Sequence, residues 1–333
     1  MTIKPTTNEL TPEQKEKLLA KIKTNKAYAK AYQDLEFLGK KDLRPIRLQL
    51  ELQKPEMILR EHKIRSTIVV FGSARILSPF EARMQLEIAQ KQSSAEPKSE
   101  ALRRRVRQAQ MRLEQSKYYE EARRFAAVIS KAQQTDKTLE FVMVTGGGPG
   151  IMEAANRGAW EMGRKSIGLN ITLPHEQDPN PYMTPELSFQ FHYFALRKMH
   201  FLMRAKALAV FPGGYGTFDE LFETLTLVQT GKKRTLPIVL FGKEFWERVV
   251  DWELLADHGM ISHDDLRLFK IVETAEEGWE HIKSFWKRQR DAALAEPEQV
   301  ADAGDIKDEH GAMRSEAPAG AEVINGKDAK RKR

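Results

Sequence analysis

Cysteine is absent from the 333 residues, which excludes disulfides, thiolate metal sites, iron–sulfur clusters and cysteine nucleophiles together and fits a reducing cytoplasm. No run of about 18 apolar residues occurs. The N-terminal MTIKPTTNELTPEQKEK also lacks the apolar centre of a signal peptide. The sequence therefore reads as a cytoplasmic protein, neither exported nor membrane-spanning. Its eight histidines are scattered and form no ligand-spaced cluster with carboxylates, so no metal is expected. There is no G-x-x-x-x-G-K-[ST] loop, which disfavours a P-loop ATPase or kinase. Nor is there a G-x-G-x-x-G turn, since Ile151 occupies the place of its last glycine, so a dinucleotide dehydrogenase is not expected. A pyridoxal phosphate enzyme would need a well-placed lysine. His62-Lys63 lacks the preceding serine of a Ser-x-His-Lys arrangement and lies before the first strand, so no cofactor is expected.

What is present is charge and alternation. Charged residues make up 30% of the chain and hydrophobic ones 41%, an ordinary core with extended polar segments around it. The net charge of +7 is concentrated locally. Between Lys98 and Arg124, nine Lys or Arg stand against four Glu, with Arg103, Arg104, Arg105 and Arg107 clustered. Without interleaved aromatics or a nucleic-acid-binding motif this reads as a long solvated helix, and nucleic acid is not an expected partner.

Residues 1–64 read as a helical extension, with Leu18, Leu19, Ile22 and Tyr28 spaced for one buried stripe and Leu48, Leu50, Leu52, Ile58 and Leu59 for another. The run Thr67–Phe71 is the first buried strand, closed by Gly72-Ser73-Ala74-Arg75. From about 79 to 131 the pattern is helical and charged, broken near Pro97, which marks a helical hairpin inserted into the first crossover. Strand and helix signals then alternate to about residue 290: strands at 141–144, 166–171, 207–211, 236–241 and 269–272, and helices at 151–162, 218–229, 243–255 and 275–290. A further helix carries Arg197 and Lys198. Such alternation predicts an α/β protein with a doubly wound parallel sheet of six or seven strands over residues 65–290. Beyond Asp291 the aromatics stop, and 291–333 reads as a disordered tail.

Two glycine turns each follow a buried strand and open a helix, an arrangement that aims free amides and the positive helix end at one point. The first, Thr145-Gly146-Gly147-Gly148-Pro149-Gly150, is by itself as consistent with a structural turn as with an anion site. The second, Pro212-Gly213-Gly214-Tyr215-Gly216-Thr217-Phe218-Asp219-Glu220, adds acidic residues in the first turns of its helix. Glu220 either complements the helix dipole or stands beside C1′ of a ribose 5-phosphate group, where its charge stabilises an oxocarbenium-like transition state or orients water. Arg197 is either a structural ion-pair partner or the complementary charge at that site.

The stretch Pro212–Glu220, P-G-G-x-G-T-x-x-E with the upstream pair Arg197-Lys198, resembles the signature of the Lonely Guy family, long mislabelled as lysine decarboxylases. The resemblance runs from about Thr67 to Lys287 and includes Gly72–Arg75 and Gly146–Met152, while Phe194 and Phe201 replace the family's usual methionines. It implies a Rossmann-like fold, a homodimer or higher homo-oligomer, and hydrolysis of the N-glycosidic bond of a nucleoside 5′-monophosphate. The substrate would be AMP or an N6-modified AMP such as a cytokinin riboside monophosphate, released as free base and ribose 5-phosphate. Arg197 and Glu220 match the family's catalytic pair. Lys198, Gly213, Gly214, Gly216 and Thr217 match its substrate-binding residues, to which Ser73, Gly147, Gly148 and Gly150 are added from the neighbouring turns and Glu176 as an acidic base-side residue. The alternative is a nucleotide-binding regulator without turnover.

Overall fold

The computed structural model describes residues 10–135, 139–172 and 178–295. Glu176 and residues 296–333 of the tail lie outside them.

The extension opens with α1 (Pro12–Thr24), where Thr11 and Gln14 form a capping box and Pro12 takes the first helical position. Its expected buried stripe does not form: Leu18, Leu19 and Ile22 are exposed, because nothing in the described chain packs on them. The one-turn α2 (Leu35–Leu38) leads to α3 (Arg44–Glu61). There Leu59 is buried and Leu48, Leu52 and Ile58 pack on the core, while Leu50 faces outward.

The sheet begins with β1 (Thr67–Phe71). The crossover to β2 (Val142–Thr145) carries α4 (Pro79–Ala95), α5 (Glu100–Gln115) and α6 (Lys117–Gln133). The expected helical hairpin is α4–α5, and α6 is the crossover helix proper, burying Tyr119, Phe125 and Ile129. Then follow α7 (Ile151–Glu161), β3 (Ser166–Ile171), β4 (Ser188–Phe191), α8 (Phe194–Met203), β5 (Ala205–Val210) and α9 (Tyr215–Gln229). The chain closes with β6 (Ile238–Phe241), α10 (Lys243–Val249), α11 (Trp252–Asp257), β7 (Phe269–Val272) and α12 (Ala275–Ala295). The helix expected over 243–255 is two helices, because Asp251 leaves helical geometry and caps α11 by accepting the Leu254 amide at 3.0 Å. The helix expected to end at Arg290 runs on to Ala295.

All seven strands are parallel, in the order β4-β3-β2-β1-β5-β6-β7. Alternate β1 side chains feed two cores: Val69 and Phe71 join the cluster holding Phe201, Leu221 and Trp246, and Ile68 and Val70 join the one holding Phe125, Ile129 and Trp279. Burial on both faces explains why the strands read as continuous apolar runs. The order also fixes where a ligand belongs. From β1 the chain winds outward to β4, returns to lay β5 on the other side of β1, and winds out to β7. The crevice beyond the carboxyl ends of β1 and β5 is therefore a topological switch point.

Candidate active site

A cavity of about 1070 Å³ opens at that switch point. Its wall is built from the segments that follow strands: Gly72–Ile76 after β1, Gly146 and Met152 around the turn after β2, and Pro212–Phe218 after β5. Arg197 from α8, Glu220 from α9, Phe245 and Val249 from α10 and Gln115 from the end of α5 complete it. Hydrogen bonds stitch the three segments together. Ser73 donates its amide to Pro212 O at 3.0 Å, and its own carbonyl accepts from Ile151 N at 3.1 Å. Gly150 has φ +71 and packs so closely on Ser73 and Ala74 that a Cβ would collide with their backbone.

The second turn is open to this cavity. The amides of Tyr215, Gly216 and Thr217, the first of α9, donate to no acceptor among the described residues, and the first bonded amide is Phe218 N to Gly214 O at 3.1 Å. The Thr217 hydroxyl is likewise without a partner there. Unfilled donors at a helix N-terminus bind anions. A Cβ on Gly214 or Gly216 would meet nothing within 4 Å, so this turn is not packed against the rest of the protein.

The first turn is closed on itself. Gly147 N donates to Thr145 Oγ1 at 3.0 Å, and Thr145 Oγ1 donates to Asn156 Oδ1 at 2.6 Å. The Asn180 side-chain amide donates to Gly148 O and to Asn156 Oδ1, each at 3.0 Å, while its backbone amide donates to Gly147 O at 2.9 Å. Of the predicted binding residues here, Gly147, Gly148 and Gly150 do not line the cavity; Gly146 does.

Glu220 and Arg197 meet in the cavity. The Arg197 guanidinium lies against Gly146, donates Nε to Leu169 O at 2.7 Å and covers the Phe201 ring at 5.2 Å. Burial pulls its pKa down, and the nearby Glu220 charge works the other way. The Glu220 carboxyl accepts no hydrogen bond from the described residues. Burial pushes it up to about 7, against the lowering influence of Lys198 and Arg197. A carboxyl poised near neutrality in a cleft can hold or give a proton there.

Lys198 stands elsewhere. Its ammonium bonds Asp219 at 2.8 Å and Glu223 at 3.1 Å, outside the cavity. Burial alone would lower its pKa, but these two carboxylates outweigh that and hold it raised. Ser73, Gly213, Gly214, Gly216 and Thr217 line the cavity as a group, and Glu176 falls outside the described residues. Among the lining residues that the sequence did not single out are the polar Arg75 and Gln115. Arg75 follows β1 at the same sheet end as both turns, a signal available in the sequence. Gln115 belongs to the insertion, where nothing in the sequence distinguishes it from its neighbours. Among the described residues no group of three or more His, Asp or Glu could hold a metal ion, and no helix is long and apolar enough to cross a membrane.

No curated protein matches the chain. The fold is similar to solved structures at low identity. TM1055 is 18% identical, with TM-score 0.40, over 66% of this chain and 99% of that one. The molybdenum cofactor carrier protein of Chlamydomonas reinhardtii is 16% identical, with TM-score 0.38, over 67% and 99%. The molybdenum cofactor binding protein of Rippkaea orientalis is 19% identical, with TM-score 0.36, over 51% and 88%. Residues 152–282, which hold Arg197, Glu220 and the whole second turn, match the family model described as possible lysine decarboxylase, the label under which the Lonely Guy signature was long filed.

Proposed function

We propose that the protein hydrolyses the N-glycosidic bond of a nucleoside 5′-monophosphate, AMP or an N6-modified AMP, to free base and ribose 5-phosphate. The observation that carries this is the carboxyl of Glu220, unpartnered and open to the same cavity as the unfilled amides of α9. A phosphate seated on Tyr215–Thr217 is held by the helix end, and the ribose then extends along α9 toward Glu220. As the C1′–N bond breaks, its electron pair leaves with the base and positive charge develops on the ribose. Glu220 as carboxylate stabilises that charge and orients the water whose oxygen bonds C1′; a water proton ends on the departing base. In this reading Arg197, held by Leu169 O and the Phe201 ring, positions the phosphate or the leaving base. Anchoring the phosphate converts its binding energy into orientation at C1′.

The test is incubation of the purified protein with AMP and with N6-prenylated AMP, followed by assay of ribose 5-phosphate. Base release from either, abolished in Glu220→Ala, is the expected result. Binding of AMP without base release would select the regulator instead, and full turnover by Glu220→Ala would remove Glu220 from the chemistry.

A further inference from the structure

A phosphate dianion at the start of α9 needs a cation as well as amides, and the charges around the cavity narrow the choice. The lining contains two cations, Arg75 and Arg197, and one acid, Glu220. Arg197 is committed to Leu169 O and to the face of the Phe201 ring, toward the β2 and β3 side of the crevice. Lys198, the cation expected from the sequence, is held by Asp219 and Glu223. Of the two lining cations, Arg75 is the one whose guanidinium has no hydrogen bond, ion pair or ring contact among the described residues. Its backbone is nevertheless fixed: the Arg75 amide donates to Ser73 Oγ at 3.1 Å, and Ser73 is tied to both glycine turns. A long exposed side chain thus springs from a rigid base on the rim of the open turn.

We infer that Arg75 is the residue that reads the 5′-phosphate, its guanidinium pairing with the dianion seated on the amides of Tyr215–Thr217, so that the site prefers 5′-phosphorylated sugars to their unphosphorylated counterparts. This rests on the hydrolase reading for its substrate, but not for its test. The guanidinium fork matches two phosphate oxygens, so lysine replaces it only in part.

The experiment is titration calorimetry of ribose 5-phosphate and of ribose against the full-length protein, Arg75→Ala and Arg75→Lys, with KM and kcat for AMP measured in parallel. Arg75→Ala is expected to weaken ribose 5-phosphate about tenfold or more, Arg75→Lys to lie between, and ribose to be unaffected. The loss should appear in KM for AMP more than in kcat. Ribose 5-phosphate affinity within about twofold of the parent in Arg75→Ala would overturn the assignment, as would a parent protein that binds no ribose 5-phosphate. If AMP is hydrolysed while Arg75→Ala is silent, only this inference fails. If Arg75→Ala loses ribose 5-phosphate but no base is ever released, the assignment stands and the hydrolase reading falls.

Discussion

The first and second glycine turns each end a buried parallel strand and begin a helix, yet they face opposite demands. Around Gly147 and Gly148, Thr145 and Asn180 take up the backbone groups, and a Cβ on Gly147, at φ +74, would run into Asn170. Around Gly214 and Gly216 a Cβ would meet nothing within 4 Å, and three successive amides have no acceptor among the described residues. In the first turn glycine serves the fold, and in the second, on the proposed function, it serves a ligand. The difference lies in distant side chains, so two similar strings of glycine in one sequence carry different chemistry.

The sharpest way to test the second turn is through the acid beyond it. Glu220→Gln should lower turnover of the nucleotide about a thousandfold, read as ribose 5-phosphate released per unit time. In the parent protein, activity should rise with pH through a midpoint near 7 as the carboxyl ionises. The same group leaves a mark on stability. Between its ordinary value of 4.5 and about 7, the folded protein keeps a proton that the unfolded chain has released. Its stabilising contribution is therefore complete below about 4.5 and is lost as pH rises through 7. That loss should be on the order of 2 kcal/mol in urea unfolding and absent in Glu220→Gln.

The glycines themselves give the direct contrast. Gly214→Ala should leave urea unfolding unchanged while weakening ribose 5-phosphate about tenfold. Gly147→Ala should do the reverse, costing about 2 kcal/mol of stability through its left-handed backbone and the displaced Asn170. A Gly147→Ala protein as stable as the parent would erase the distinction between the turns. Asn180→Ala removes the donor to Gly148 O and Asn156 Oδ1 while keeping the backbone bond to Gly147 O, and should cost about 1 to 3 kcal/mol, with ribose 5-phosphate affinity little changed. The smallest effect is expected at Lys198. Because its charge lowers the Glu220 pKa, Lys198→Ala should move the activity midpoint to higher pH while altering the maximal rate only slightly.

The alternating architecture was legible because both sheet faces are covered, which writes each central strand as an unbroken apolar run. Strand β4 was not, since Ser188–Phe191 lies at the sheet edge with Phe189 and Phe191 inward and Ser188 and Gln190 outward, too short a pattern to stand out after three prolines. Arg197, Glu220 and the second turn could be read from a contiguous motif and its upstream pair. Lys198 shared that motif, but its orientation depends on Asp219 and Glu223 reaching it across two helices, which spacing does not reveal. Arg75 stands among the motif residues, but the freedom of its guanidinium is a property of the folded surface that the sequence does not show.

Helix α3 lies far from the cavity in sequence but close to the helix that delivers Arg197. Its Glu51 carboxylate accepts the amides of His192 and Tyr193 at 3.0 and 3.2 Å just ahead of α8, and its Glu56 accepts from Arg204 at 2.6 Å just behind it. Two acids one helix away thus grip α8 like a splint, front and back. Losing those two acids would loosen the seat of Arg197 without altering any residue that lines the cavity.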